Sequence, residues 1–449
     1  MKIIQMDHPM QSVPEIRIPA GDDVQTDRIQ AAIDCAPVRV VLEAGGHVSG
    51  GLRLRSDVTL HLDAGAELQF LPDYDAYADT RVGVVAEQSD RAMICAENAE
   101  RIALTGAGRV ICEGVRAFSL GDDAEMGTRI PAALRPRVLV LERCREVALQ
   151  GITVCDSPMW TLHFVGCSDV TIAGVHVDND RRMPNTDGIV IDGCQRVSII
   201  GSEIRTADDG IVLKTSLGAG GVPVGPCSDI QVADCLIESQ SCALKIGTES
   251  HDDFRRVRFE DCAITGSNRA LGIFSRDGGV VEDVRFARIR LDSHETPAGF
   301  WGSGEALTLN TLDRRPDTRP AGAIRGVVFE DITGQAEGAI NLWAERPGGI
   351  ADVRLSRVAL TQTPGALGTA HCYDLRPTPA DLEAAPEAQG RMNAWRKGPD
   401  GRIIGLIDYP GGMPGVFAHN VTGLAVSDLA ITRPDPLPEG WNPVLVVED

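Results

Sequence analysis

The sequence predicts an all-β chain wound into one parallel β-solenoid, a coil of stacked short strands. Three observations carry that prediction. The first is a repeat: "CREVALQGITV" from Cys144, "CSDVTIAGVHV" from Cys167, "CQRVSIIGSEI" from Cys194 and "CSDIQVADCLI" from Cys227 share a pattern. It continues in "FRRVRFEDCAI" from Phe254, "VEDVRFARIRL" from Val281, "IRGVVFEDITG" from Ile324, "IADVRLSRVAL" from Ile350 and "VTGLAVSDLAI" from Val421. By subtraction of positions, the step is 27 residues from Cys167 to Cys194, from Cys227 to Phe254 and from Phe254 to Val281. The second is alternation within each unit, with apolar residues at every second place, the mark of a strand with one buried face. The third is composition, since 48 Gly and 26 Pro among many Val and Ile favour short strands and turns over long helices. One unit cannot bury its apolar face alone, so successive units must stack.

The elements follow in chain order within one expected β-helix domain, 1–449. "DDVQTDRIQAAIDCA", residues 22–36, has Val24, Ile29, Ala32 and Ile33 at helical spacing. It is expected to cap the N-terminal end, whose strand edges would otherwise pair with other chains. "VVLEAGGHVSGGLRLRSDVTLHLDAGAELQF" opens the main coils, expected over 40–360. Residues 361–414 break the repeat with a Pro-, Ala- and charge-rich excursion, expected to be a loop or flap, and its "CYDLRP" and "NAWRKGPDGR" to fold back over the coils. Residues 415–449 form the final coil and tail.

Composition also limits function. At 449 residues and 43% hydrophobic content the chain can bury a large core. Its formal charge of −21 opposes binding of nucleic acid or any polyanion by general electrostatics, so a polyanionic substrate needs local cations in its site. No stretch approaches the length that crosses a membrane, and "MKIIQMDHPMQSVPEIRIPAG" lacks the features of a secretory signal. The expectation is a cytoplasmic protein that binds neither nucleic acid nor membrane, its oligomeric state unspecified. Twelve cysteines without a CxxC pair read as reduced, buried thiols.

Chemistry concentrates in "PNTDGIVIDGCQRVSIIGSEIRTADDGIVLKTS", residues 184–216, which holds Asp187 and the pair Asp208 and Asp209. Each coil has a second short strand: "GIVID" after Asp187, "GIVLK" after Asp209, then "CALKIG" and "ALGIFS". Coils in register put equivalent residues roughly 4.8 Å apart, so the three acids stack on one face. Carboxylates that close raise one another's pKa, which keeps one protonated beside another that is ionised. A single Asp at a strand start is more often a turn-former bonded to its own backbone, but a stacked trio points to chemistry.

At these residues the chain resembles the polygalacturonases of glycoside hydrolase family 28. "NTDG" and "ADDG" are similar to that family's first two signatures, and "DSPMWTLHFVGCSDVTIAGVHV" to the segment that carries Trp160 and His163 beside the cleft. "LEAGGHVSGGLRLRSDVTLHLDAGAEL" and "LTGAGRV" also resemble bacterial members, so the resemblance covers most of residues 22–360. It implies a right-handed parallel β-helix that hydrolyses with inversion and requires no metal or organic cofactor. Asp208 would be the general acid, Asp187 and Asp209 would hold and deprotonate the water on the opposite side of the sugar, and Asn185 of "NTDG" would bind substrate.

Two family motifs are missing. Cys242 of "SCALKIG" stands where polygalacturonases have the histidine of Gly-His-Gly, and "GIF", Gly272 to Phe274, replaces the Arg-Ile-Lys that grips the substrate carboxylate. An apolar ring and an open space are expected there. Lys245 points outward if Leu244 and Ile246 point in, and Lys214 does likewise one coil earlier; on an exterior face such lysines serve the site or are solvated charges. "GTESHDD" and "SRDGG" add Glu249, His251, Arg276 and Asp277. Trp301 and Trp343 are candidate sugar platforms, although a buried Trp more often fills a corner of the core.

The expected function is hydrolysis of an oligosaccharide, pectin-related or otherwise uronate-containing, with exo action arising from insertions such as "TSLGAGGVPVGP" and 361–414. Two other readings stay open. In a polysaccharide lyase, Asp187, Asp208 and Asp209 would bind calcium while Lys245 or Arg276 removes a proton; in a carbohydrate-binding β-helix the site would have decayed.

Overall fold

A computed structural model of the chain describes residues 13–125, 127–296, 300–315, 317, 319–365, 371–376 and 395–448. Among them, 34 strands join in one continuous sheet system whose coil-to-coil pairings are parallel, a right-handed parallel β-helix. The repeat read from sequence is its register. Cys227 pairs with Phe254, Phe254 with Val281, Val281 with Ile324, Ile324 with Ile350 and Ile350 with Val421. Upstream, the amide of Cys144 lies 3.4 Å from the Cys167 sulfur, and that of Cys167 lies 3.3 Å from the Cys194 sulfur. The thiols thus form a buried ladder inside the coil. Further along, the rings of Phe259, Phe286 and Phe329 stack with centroids 4.8 and 5.0 Å apart, because one sequence position recurs at one place in each coil. A single apolar cluster runs inside from Ile18 to Ala418.

Two bends per coil explain the charged residues of the consensus. The third residue of each unit has a positive φ: Glu146, Asp169, Arg196, Asp229, Arg256, Asp283, Gly326, Asp352 and Gly423. So does the eighth: Gly151, Gly174, Gly201, Asp234, Asp261, Arg288, Asp331, Arg357 and Asp428. These left-handed residues turn the strand at a corner, where Gly, and less readily Asp or Asn, fits. On adjacent coils they pair across the surface, as in Arg196 to Asp169 at 2.7 and 2.9 Å and Arg256 to Asp229 at 2.6 and 2.8 Å. Each such exposed pair contributes at most about 1 kcal/mol.

The ends differ in detail from the sequence reading. The N-terminal helix spans Thr26–Ile33 rather than 22–36, and it buries Ile29, Ala32 and Ile33. Val24 instead belongs to the strand Gly21–Val24 and is 56% exposed, because that segment pairs with Gly45–Ser49 as part of the first coil. The strand Ile350–Gln362 runs two residues into the expected excursion. Within the excursion Cys372–Asp374 pairs antiparallel with Leu406–Asp408. Tyr373, Leu375, Tyr409 and Met413 make a second apolar cluster with Leu312, Ala339 and Phe417, so this part of "CYDLRP" does fold onto the coils. Residues 366–370 and 377–394, including Asn393 and Ala394 of "NAWRKGPDGR", lie outside the described residues.

The corner geometry has a measurable consequence at Gly174, where φ is +59° and an added Cβ would meet no atom within 4 Å. Gly174→Ala is expected to cost about 1 kcal/mol from backbone conformation alone, and Gly174→Asn less, since Asn visits the left-handed region more readily. Urea unfolding midpoints check this order; equal losses would show that the corner is not limited by φ.

Candidate active site

The short second strands carry the site. Ile189 pairs with Ile211, Ile211 with Leu244 and Leu244 with Leu271, all pointing into the core. Two residues before each of these lie Asp187, Asp209, Cys242 and Arg269. The hydrogen bonds Gly188 N to Asp209 O and Gly210 N to Cys242 O, and the strand pairing of Cys242 with Arg269, keep this column in register. One oxygen from each of Asp187, Asp208 and Asp209 lies within 4.8 Å of the others. Asp208 stands beside the column, its carbonyl held by the hydroxyls of Thr206 at 2.5 Å and Ser239 at 2.7 Å. The loop before Asp187 is fixed where Arg135 donates to the side-chain oxygen of Asn185 at 2.7 Å and to the carbonyl of Pro184, also at 2.7 Å.

The trio is buried and closely neutralised. Lys245 Nζ lies 2.6 Å from Asp209 Oδ2, and Ser241 donates to Asp209 Oδ1 at 3.0 Å. Lys214 Nζ lies 3.5 Å from Asp187 and 2.9 Å from Glu249, and 4.5 Å from the centre of the Trp160 ring. Burial raises Asp187 well above the ordinary carboxylate range, against the pull of Lys214, and Asp208 and Asp209 raise it further. Asp208 is raised by burial and then by Asp209. Desolvation, more than mutual repulsion, is therefore the main cause. Because the acids interact, their protons belong to the group. Glu249 lies below its usual range because Lys214 and Arg314 outweigh its burial.

The three acids form one wall of a pocket shared with Trp160, Asn185, Lys214, Lys245, Glu249 and Trp301. Five residues singled out in the sequence, His163, Arg276, Trp343, His251 and Asp277, stand elsewhere. His163 is fully buried behind Trp160, its ring 4.9 Å away edge-on, with Nδ1 2.9 Å from Arg137 and Nε2 3.2 Å from Asp192. It braces the wall without forming it. Arg276 is also fully buried and donates to the carbonyls of Ser275, Asn310 and Leu375 at 3.1, 3.3 and 3.4 Å. The excursion covers that turn through the Leu375 carbonyl and keeps Arg276 out of the pocket. Trp343 stacks on His419 at 5.7 Å, while His251 and Asp277 are buried, Asp277 bonded to Arg314. Lys214 covers a face of Trp160, and Trp301 packs against Phe300 and Trp395, so neither ring is a bare platform.

Further wall residues escaped the sequence reading: Glu87, Thr248, Arg269, Arg314 and Arg376. Arg269 had a signal, since it lies one 27-residue step after Cys242. Glu87, from the hairpin Arg81–Glu97, and Arg376, from the excursion, lie outside the repeat. Burial pushes Glu87 up to about 6, against the pull of Arg135. The expected open space at Gly272 is filled: an added Cβ would lie 2.5 Å from the Phe274 ring and 2.9 Å from the Cys242 sulfur. Around the Phe274 ring stand Arg269, Lys245 and Arg276, at 4.9, 5.5 and 5.9 Å from its centre.

The arrangement suits proton transfer better than a metal. Calcium takes six to eight oxygens, whereas at this trio a divalent cation would meet two ammonium groups. Arg276 lies off the wall and Lys245 is bound to Asp209, so the base assembly of a lyase is not formed. A second cluster, His371, Cys372 and Asp408, is of metal-binding size, but Arg402 already holds Asp408 through both oxygens at 2.7 and 2.9 Å. The acids are also closer than the roughly 6.5–9.5 Å usual for acid and base on opposite sides of a sugar. Adjacent coils in register put them on one wall, contrary to the expectation of opposed carboxylates.

A profile of the glycosyl hydrolases family 28 matches residues 34–378. An endo-polygalacturonase of Pectobacterium carotovorum subsp. carotovorum is 23% identical over 363 residues, 76% of this chain and 85% of that one. A probable polygalacturonase of Arabidopsis thaliana is 26% identical over 211 residues, 45% of this chain and 43% of its own, so the chain spans less than half of that relative. Among solved structures, an exopolygalacturonase from Thermotoga maritima superposes with a TM-score of 0.64 at 22% identity, covering 78% of this chain and 88% of that one. A polygalacturonase from Erwinia carotovora ssp. carotovora gives 0.63 at 20% identity, with 78% and 93% covered. The profile spans most of the chain and includes the paired aspartate motifs that build the wall, and the chain therefore belongs to the glycosyl hydrolases family 28.

Proposed function

We propose that the protein is a glycosidase that hydrolyses pectin-related or other uronate-containing oligosaccharides from one end and with inversion. The observation that carries this reading is the stacked acid trio, with one member ion-paired to Lys245 and the other two raised by burial. Asp208, raised by burial, protonates the glycosidic oxygen. Asp209, held by Lys245 and Ser241, accepts the proton of a water that Asp187 helps to orient. General acid catalysis of this kind accelerates a reaction by at least about 10²-fold. Inversion rests on the family. Exo action draws support from pocket walls lent by segments outside the coils, Glu87 and Arg376. Its cytoplasmic location draws support from the free state of all twelve cysteines, many of them buried thiols suited to a reducing compartment; cell fractionation tests it.

Asp208→Asn is expected to lower kcat by about 10²-fold or more on pectin-derived oligosaccharides while the fold is kept, and near-normal turnover would remove Asp208 from the acid role. The same substitution should stabilise the protein at neutral pH. A carboxyl whose folded pKa is raised binds its proton more tightly folded than unfolded, so its presence costs stability progressively as pH rises above about 4. Thermal midpoints of Asp208→Asn and wild type should therefore diverge between pH 4 and 8, with the variant the more stable at pH 8; no divergence would contradict the raised pKa.

Activity should persist in excess EDTA, with no absorbance from an unsaturated product. Proton NMR of the first-formed product should show the inverted anomer. Loss of activity on chelation would favour the calcium lyase, and a retained anomer would exclude direct attack by water.

A further inference from the structure

Beside the reaction pocket lies a second cavity, of about 280 Å³, that the proposed chemistry does not use. Leu120, Pro131, Ala132 and Ala133 give it an apolar lining, and Glu87 and Arg135 are its ionisable members. Glu87 also lines the reaction pocket, and Arg135 donates to Asn185 on that pocket's wall at 2.7 Å, so the two spaces meet at these residues. Apolar surface with a few placed polar groups is how a site takes a sugar ring, whose faces are apolar and whose rim carries hydroxyls.

The partition between them is held in place. Arg81–Ala86 and Ser89–Glu97 form an antiparallel hairpin in which Ala86 pairs with Ser89, so Glu87 and Gln88, with φ of +45° and +64°, are its two-residue tip. Below the tip, Glu142 accepts from the amides of Gly83 and Val84 at 2.8 and 2.7 Å, and Ala86 packs with Met159, Trp160, Val190 and Val212. The Glu87 carboxyl itself has no hydrogen bond or ion pair with a described residue. Burial pushes it up to about 6 against the pull of Arg135, Glu249 and Asp208 raise it, and Lys214 lowers it. Arg135 is buried and donates to the carbonyls of Pro158 and Pro184 at 2.9 and 2.7 Å, with its charge facing Glu87. A substrate carboxylate in the cavity would therefore have to take the place of Glu87 opposite Arg135.

We infer that this second cavity is a subsite for one uncharged sugar at the end of the substrate chain, where Glu87 accepts a hydrogen bond from a hydroxyl and turns away a uronate. The inference deepens the proposed glycosidase reading and rests on it for turnover. A hydroxyl donating to an ionised carboxylate makes a charge-assisted bond, stronger than one between neutral groups. A uronate in the same place would set two carboxylates against each other, and neither could ionise without disfavouring the other. The substrate class is accordingly a mixed oligosaccharide that contains uronate and ends in a neutral sugar.

The test compares, at pH 8, an oligogalacturonide with the same chain carrying galactose in place of galacturonate at one end or at the other. Wild type is expected to favour one of the galactose-ended chains by about 10-fold or more in kcat/KM, chiefly through KM. Glu87→Gln, which keeps the shape and removes the charge, should abolish most of that preference. So should Ala133→Phe, which fills the cavity from an exposed position, with circular dichroism unchanged. Wild type without the preference, or a preference that survives either variant, overturns the inference. Calorimetric titration of the three chains into Asp208→Asn and into Asp208→Asn/Glu87→Gln separates this from the catalytic reading. If wild type cleaves none of them the glycosidase reading fails, yet tighter binding of a galactose-ended chain that depends on Glu87 upholds the subsite. Binding that is absent, or that shows no such preference, overturns it.

Discussion

In-register stacking of the coils governs everything else in this molecule. Each strand hydrogen-bonds to its counterpart one coil away, and the spacing of roughly 4.8 Å is the same at every level. A side chain therefore has as its neighbour whatever occupies the same repeat position in the next coil. For cysteines and phenylalanines this yields apolar ladders that stabilise the interior. For Asp187 and Asp209 the same rule brings two carboxylates together, and the sheet cannot move them apart without breaking its ladder. The compensation comes from outward-facing positions nearby: Lys214 lies within reach of Asp187, and Lys245 and Ser241 within reach of Asp209.

Followed further, the column changes character by coil. Asp187 and Asp209 give way to Cys242, then Arg269, then Glu305, so the wall runs from acid through an uncharged thiol to a cation backed by an acid. Cys242 is fully buried, and the Phe274 ring closes over it and Gly272. This ring is an apolar surface, yet it does not leave the region uncharged. Its face attracts Arg269, Lys245 and Arg276, and cations near an aromatic face gain electrostatically from the ring. The ring is thus a packing centre around which cations are ordered.

Much of the coil was legible because its information is periodic. The nine repeat segments gave the register, and the second short strands gave the acid trio, since both follow from alternation and spacing alone. Asn185, Lys214, Lys245 and Glu249 reach the pocket from the coils or from turns beside them. The cap was misjudged at its start because Asp22 to Val24 fits a helical pattern but pairs as an edge of the first coil. Arg276 and His163 were legible as residues near the site but not as buried ones. What covers them, the carbonyl of Leu375 and the side chain of Arg137, lies 99 and 26 residues away in sequence. Arg376 and Glu87 had no periodic signal at all, because the segments that present them occur once.

That division has a physical consequence for how such a site can change. The acids sit just before strands that are paired with the neighbouring coils, so a shift at one level would propagate to the next. Walls built from single-occurrence segments carry no such constraint. The excursion that brings Asp374 and Arg376 is attached to the coils through side chains, among them the ion pair of Arg269 with Asp374 and the bond of Arg276 to the Leu375 carbonyl, while Glu87 sits at the turn that leads into the coil strand Ser89–Glu97. Recognition can be rewritten there by altering a few contacts, while the geometry that moves protons remains fixed by the sheet. The fusion of the two at Arg269, a coil residue clamped by an excursion residue, is where a change in one must be felt by the other.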